Sequence, residues 1–271
     1  MRLIRYADET GAAYYAARGE DGNYYQTGLN ETGDLEVTEQ RVEAGRLLAP
    51  VSPVTIFAVG TNYPLHGKET GTKMSPYPVI FMKAPTTVIA PEQPIVLPRH
   101  LRSDKVDYEG ELAVVIGRPC KNVSPEDALN YVLGYTIAND VSARDWQKEL
   151  GGGQYCRGKT FDTFCPLGPQ IVSPDEIPDP NNLALQTRVN GELLQDGHTK
   201  DMHFSVAEVI SFLSGGNTLL PGTVILTGTP DGVGLARTPQ RFLQPGDEVE
   251  ISIEGIGSLK NPVVEEDLES K

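Results

Sequence analysis

The chain of 271 residues is long enough for one large domain, or one domain with a small appendage, and its 39% apolar content suffices for a sizeable core. A net charge of −14 repels phosphate backbones and argues against a nucleic-acid partner, and no apolar run approaches the length that spans a bilayer. The N-terminus lacks the long apolar stretch of a signal peptide, and Cys120, Cys156 and Cys165 form no C-x-x-C pair, so a soluble, cytoplasmic protein without a disulfide framework or finger-type zinc site is expected.

Residues 1–50 are polar, with Tyr14, Tyr15, Tyr24 and Tyr25 in short segments split by Gly and Asp. They are expected to form a small β-rich N-terminal domain, linked near Leu48–Pro53 to a catalytic domain over 51–271. Val54–Val59 reads as a strand. After it comes His66-x-x-Glu69, preceded by Pro64. If that stretch is helical, the two side chains sit at i and i+3 and can touch. A Glu on an imidazole orients it and raises its basicity, as suits a general base. The same spacing also fits an exposed pair on a surface turn. Thr70–Tyr77 has the Gly, Ser and Pro content of a lid.

The segment Asp107-Tyr108-Glu109-Gly110-Glu111 leads into the apolar run Leu112–Ile116. Continuous apolar character predicts a strand buried on both faces. Side chains two apart on a strand share a face, so Glu109 and Glu111 lie side by side and repel. A cation, or a strongly raised pKa on one acid, must compensate. A second apolar strand, Tyr131–Ala138, ends near a third acid, Asp140. Three carboxylates at strand ends without converging Cys suit a hard cation: Mg²⁺, Mn²⁺ or Ca²⁺. The alternative is a solvated strand edge paired with Lys or Arg.

Ser124-Pro125-Glu126-Asp127 carries helix-start signals, and a further helix is expected to start near Ser142, bearing Arg144, Asp145 and Gln147. Lys159, in the Gly- and Phe-containing stretch 157–164, is a cation able to balance the acids. Ser205-Val206-Ala207-Glu208 is a capping box opening a helix with Val209, Ile210, Phe212 and Leu213 at helical spacing. Val224–Leu226 and the alternating Glu248–Glu254 are further strands. Strands outnumber helices, so the class is α+β, dominated by β. His100, His198 and His203 lack ligand spacing and are not assigned to a metal.

Val59-Gly60-x-Asn62-Tyr63, His66-x-x-Glu69, Pro78-x-x-Phe81-x-Lys83, Asp107-Tyr108-Glu109-x-Glu111, Asn139-Asp140-x-x-Ala143-Arg144-Asp145, Lys159-x-Phe161-Asp162, Val189-Asn190-Gly191 and Thr227-Gly228-Thr229-Pro230 occur in that order. Over residues 54–261 this series resembles the fumarylacetoacetate hydrolase family, in particular its acylpyruvase and 2-hydroxyhepta-2,4-diene-1,7-dioate isomerase-like members. The resemblance implies a mixed β-sandwich roll, a homodimer, and Mg²⁺ (or Mn²⁺ or Ca²⁺) on Glu109, Glu111 and Asp140. It implies His66, Glu69 and Lys159 as catalytic residues, and Lys83, Arg144, Gln147 and Thr229 as residues that hold the substrate or line its site. The activity it implies first is metal-dependent C–C hydrolysis of a small 2,4-dioxo acid of acylpyruvate or fumarylpyruvate type, with oxaloacetate decarboxylation beside it. Isomerase or decarboxylase activity in aromatic catabolism ranks second and a ureidoglycolate lyase-like activity third, while a fold relative without chemistry is disfavoured because every one of these residues is present. Thr61 replaces a bulkier or basic residue often found there, and Leu150–Cys156 lacks the Trp many members carry.

Overall fold

The computed structural model describes residues 1–29 and 35–269. A mixed 12-stranded sheet runs in the order Leu35–Val42, Tyr24–Leu29, Ala13–Arg18, Arg2–Ala7, Cys165–Val172, Val132–Asn139, Gly110–Ile116, Thr223–Leu226, Thr55–Gly60 and Val79–Lys83, with Arg46–Leu48 and Val88–Ile89 off this path. A five-stranded sheet holds Glu192–His198, Ala184–Val189, Glu248–Ile253, Gly257–Glu265 and Ile95–Leu97. Strands dominate and the sheets are mixed, so the β-dominated α+β class and the sandwich-like roll expected from the sequence are what the chain forms. No described helix is long and apolar enough to cross a membrane.

Residues Gly110–Ile116 are all buried. Leu112, Val114 and Ile116 join the larger core cluster with Leu185, Val249 and Ile251 of the second sheet. Ala113 and Val115 face the other cluster, with Ile56, Ala58, Val224 and Leu226. The strand is therefore apolar at consecutive positions because both of its faces are covered. Each large aliphatic residue so buried contributes about 1.5–3 kcal/mol of transfer free energy. Gly110 marks the close approach of the two sheets. A Cβ there would lie 2.3 Å from Thr187 Oγ1, so only glycine fits between the two glutamates.

The N-terminal strands are not set apart in the sheet. Arg2 and Leu3 pair antiparallel with Val172 and Ile171, and Ser173 N donates to Met1 O. Helix Val206–Ser214 has both capping-box bonds, with Glu208 N donating to Ser205 Oγ and Ser205 N to Glu208 Oε2. Pro125–Ala128 begins after Ser124 as its sequence signals indicate, but is short.

The helix expected near Ser142 starts two residues later, at Arg144. Ser142–Ala143 instead pairs with Val106–Asp107, and Arg144 N donates to Lys105 O. Those bonds hold the backbone in an extended ladder. The chain coils from Arg144 and continues as the π-helical turn Trp146–Leu150. Asp145 Oδ1 accepts from Trp146 N to start it, and Trp146 Nε1 donates to Arg102 O. All three cysteines are free: Cys120 and Cys165 are buried and Cys156 is exposed.

Candidate metal and active site

Strand register brings the three acids together. Gly110 pairs with Asn139 and Glu111 with Ala138, and Asp140 N donates to Glu109 O. Asp140 therefore stands across the ladder from Glu109, on the face shared by Glu111. Ligand oxygens of Glu109, Glu111 and Asp140 all lie within 4.8 Å of one another, and all three residues are buried.

Two lysines and an arginine surround this cluster. Lys159 Nζ lies 2.6 Å from both Glu109 Oε2 and Asp140 Oδ2. Lys83 Nζ donates to Asp140 Oδ1 at 2.6 Å and to Val141 O. Arg144 Nη2 makes an ion pair of 2.7 Å with Glu109 Oε1, although it is not aligned for a hydrogen bond. Arg144 Nε donates to Asp107 Oδ2, and Asp107 also accepts from the backbone N–H groups of Gly234 and Leu235. Burial alone would push Glu109 up, but Lys159 and then Arg144 hold its carboxyl well below the usual range. The reciprocal effect raises the Lys159 ammonium, where Asp140 and Glu109 outweigh burial.

Glu111 is different. Among the described residues it has no cationic side chain in ion-pair contact, and its hydrogen bond comes from Gly228 N at 2.7 Å. Burial, then Asp140 and Glu109, push its pKa well above the usual 4.5. A buried carboxyl facing two others without a cation of its own is the arrangement a bound cation would relieve. The donor set is oxygen only, the three oxygens converge, and one acid lacks compensation. The residues present fit a hard divalent ion.

The loop behind Glu111 is braced. Gly228 has φ +96°, and a Cβ there would lie 2.7 Å from Asn62 Cβ. Asn62 Nδ2 donates to Thr227 O and Phe204 O, and its Oδ1 accepts from Phe204 N. Gln195 Oε1 accepts from Gly110 N, and its Nε2 donates to Thr229 Oγ1 and Pro230 O. Asn62 and Gln195 thus tie the strand of acids to the Thr227–Pro230 loop. Asn62 lies in a motif visible in the sequence, but nothing local marks Gln195.

His66 and Glu69 do lie on a helix, Pro64–Thr70. His66 Nδ1 is 2.9 Å from Glu69 Oε1, and Glu69 Oε2 accepts from Gly232 N at 2.9 Å. Fixing the carboxylate on both oxygens fixes the imidazole, which leaves Nε2 as the available ring nitrogen.

One cleft collects His66, Glu109, Glu111, Arg144, Gln147, Lys159 and Thr229. Its remaining wall includes Thr61, Thr70, Thr72, Phe81, Lys148 and Tyr155. Asp140 and Lys83 lie behind this wall, in contact with each other. The Thr229 hydroxyl already donates to Gly110 O. Tyr155 stacks on Phe81 with ring centroids 5.5 Å apart, an aromatic side to the cleft that the sequence did not single out. Thr61 is held at φ +52°, a costly conformation for a β-branched residue and one that lines this cleft. Cys165, buried nearby, has its thiol pushed up to about 12 by burial, which removes it as a nucleophile.

Gly158 packs the helix Tyr155–Lys159 against the turn carrying Gln147. A Cβ would sit 2.8 Å from Ala143 O and Gln147 N. Gly158→Ala is expected to cost about 1–3 kcal/mol and to shift Lys159. Thermal unfolding would show the loss; an unchanged midpoint would mean that the backbone gives way freely there.

The profile described as fumarylacetoacetate (FAA) hydrolase C-terminal matches residues 55–264. The human protein named oxaloacetate tautomerase FAHD2A, mitochondrial, is 48% identical over 218 residues, covering 80% of this chain and 69% of that one. Among solved structures, the fumarylacetoacetate hydrolase of Exiguobacterium antarcticum aligns at TM-score 0.87 with 40% identity, over 98% of this chain and 100% of that one. The 2-hydroxyhepta-2,4-diene-1,7-dioate isomerase of Mycobacterium marinum aligns at TM-score 0.83 with 41% identity, over 100% of both chains. The strand-borne acids and the braced loop are thus set in the frame these proteins share, and the chain is an enzyme belonging to the fumarylacetoacetate hydrolase family.

Proposed function

We propose that this enzyme is divalent-metal-dependent and transfers a proton at the carbon next to the keto group of a small 2-oxo acid, interconverting keto and enol forms of an oxaloacetate-like compound. The observation that carries this reading is that His66, fixed by Glu69, lines one cleft with the carboxylates Glu109 and Glu111. Relatives named as oxaloacetate tautomerase and dienedioate isomerase support it, since both names denote rearrangements by proton movement.

A divalent ion on Glu109, Glu111 and Asp140 would supply fixed positive charge for the keto and carboxylate oxygens of such an acid. Gln147, itself held by Arg144, orients the substrate from the cleft wall. Gln147 Oε1 accepts from Arg144 Nη1 at 3.1 Å, which leaves the Gln147 amide N–H groups as donors. His66 Nε2 removes the proton from C3 of the substrate. The C–H electron pair becomes the C2–C3 double bond, and the keto π pair moves onto oxygen. Glu69 holds the imidazolium that forms, and the proton returns to oxygen or carbon. Lys159 keeps Glu109 ionised, pairs with Asp140 and adds positive charge at the base of the site.

A second reading is C–C hydrolysis of a 2,4-dioxo acid, favoured by the same His66–Glu69 pair acting on water. It moves behind tautomerisation because of the names the similar proteins carry.

Testing requires a Mg²⁺-dependent panel of oxaloacetate, acylpyruvates, fumarylpyruvate and dienedioates. The proposal expects the fastest turnover in oxaloacetate enolisation; faster acylpyruvate cleavage would favour the second reading. His66→Ala is expected to slow proton exchange at C3 by about 10²- to 10⁴-fold. It should also impair hydrolysis of a dioxo acid more than any oxaloacetate decarboxylation. Exchange into deuterated water, followed by NMR, would read the first effect, and an unaltered exchange rate would remove His66 from the proton transfer.

A further inference from the structure

Three of the four side chains with polar atoms on the turn Trp146–Leu150 are pinned. Asp145 bonds Ser103 Oγ, Asp104 N and Trp146 N. Trp146 Nε1 is held by Arg102 O and Gln147 by Arg144. Glu149 Oε1 accepts from Lys105 Nζ at 2.6 Å. Lys148 is the exception. It lines the cleft, reaches solvent, and has no hydrogen bond or ion pair among the described residues. The other cations on the wall are committed, Arg144 to Asp107 and Glu109, and Lys159 to Glu109 and Asp140. The rest of the wall away from the acids is neutral or aromatic: Thr61, Thr70, Thr72, Phe81 and Tyr155. A π-helical turn is rare and is frequently found at functional sites.

Resting on the 2-oxo acid reading above, we propose that Lys148 is a specificity-determining residue that receives the distal carboxylate of a 2-oxo diacid, so that the enzyme selects dianionic over monoanionic substrates. Burial and then the charge of Arg144 lower the Lys148 pKa, as expected for an ammonium set beside a like charge with no anion of its own. A carboxylate arriving there gains a charge-assisted hydrogen bond. The rigid neighbours mean that little ordering of the turn is needed to make it.

The test uses two acids of equal chain length, 2-oxoglutarate and 2-oxopentanoate, which differ by a carboxylate in place of a methyl group. Their dissociation constants are measured by calorimetry on the full-length protein, with and without Mg²⁺. The wild type is expected to favour the diacid by about fivefold or more, the worth of a partly exposed charge pair. Lys148→Met should bring the ratio of the two constants close to one, and Lys148→Arg should keep it near the wild-type value. Catalysis gives a parallel readout, with Lys148→Met raising KM for oxaloacetate more than it lowers kcat. A wild type without preference for the diacid, or a Lys148→Met ratio equal to the wild-type ratio, would overturn the proposal. The metal reading is scored separately: binding indifferent to Mg²⁺ counts against the ion, while the diacid-to-monoacid ratio still reports on Lys148.

Discussion

Glu111→Gln is expected to stabilise the metal-free protein near neutral pH and to make it insensitive to Mg²⁺. The carboxyl is buried against Asp140 and Glu109 with no cation in contact. A neutral amide of the same shape removes that repulsion and still accepts from Gly228 N. Relief of about 1–2 kcal/mol moves the thermal midpoint of a chain this size by several degrees. Turnover is expected to fall by about 10²- to 10³-fold, because the charge stabilising the enolate is lost with the ion. A calorimetric scan with and without Mg²⁺ reads both effects. A less stable variant that keeps its Mg²⁺ response would mean that Glu111 is structural and not a ligand.

The contrast with Glu109 is instructive. Glu109 is compensated by Lys159 and Arg144, so removing its charge leaves two buried cations short of a partner. Breaking such a pair from one side costs about 3–5 kcal/mol. Glu109→Gln therefore confounds folding with binding, and Glu111 is the better probe of the ion.

Mg²⁺ is expected to stabilise the protein more as pH rises above the ordinary glutamate value of 4.5 toward the raised value of Glu111, releasing a proton as it binds. Glu111 has its pKa raised in the folded chain, so the folded state holds this proton more tightly than the unfolded one. The stability it lends is complete below its ordinary value of 4.5 and is lost as pH rises through the folded value. The cation must displace that proton, so its apparent affinity grows with pH across the same window. Glu109, with its pKa lowered, acts the other way. Its contribution is complete above 4.5 and is lost as pH falls through the folded value. The two effects predict a metal-free protein weakened on both sides and a Mg²⁺ complex that gains chiefly on the alkaline side. Titration in buffers of different ionisation heat would count the proton. No release, together with a pH-independent gain in thermal midpoint, would contradict the assignment of Glu111 as the uncompensated acid.

What the sequence made legible followed local periodicity. Leu112–Ile116 signalled a doubly covered strand, and spacing of two set Glu109 beside Glu111. Ser205 and Glu208 announced a helix start because both capping partners lie within one turn. His66 and Glu69 met because a helix brings positions three apart together. Where the outcome depended on distant partners, local reading failed or was silent. The helix expected near Ser142 starts only at Arg144, because Ser142–Ala143 pairs with Val106–Asp107, which precedes it by more than thirty residues. Gln195 braces the site from a remote strand, and no local pattern sets it apart from other buried polar residues. Lys148 went unnoticed because a lysine beside Gln147 reads as surface charge until the turn's other side chains are seen to be occupied.

Diffraction from crystals grown with Mn²⁺, at a wavelength where manganese scatters anomalously, tests the central claim most directly. A single strong peak is expected within about 2.0–2.6 Å of an oxygen from each of Glu109, Glu111 and Asp140. A map without a peak between these three side chains, with Lys159 still bridging Glu109 and Asp140 and Glu111 facing them unligated, would contradict it.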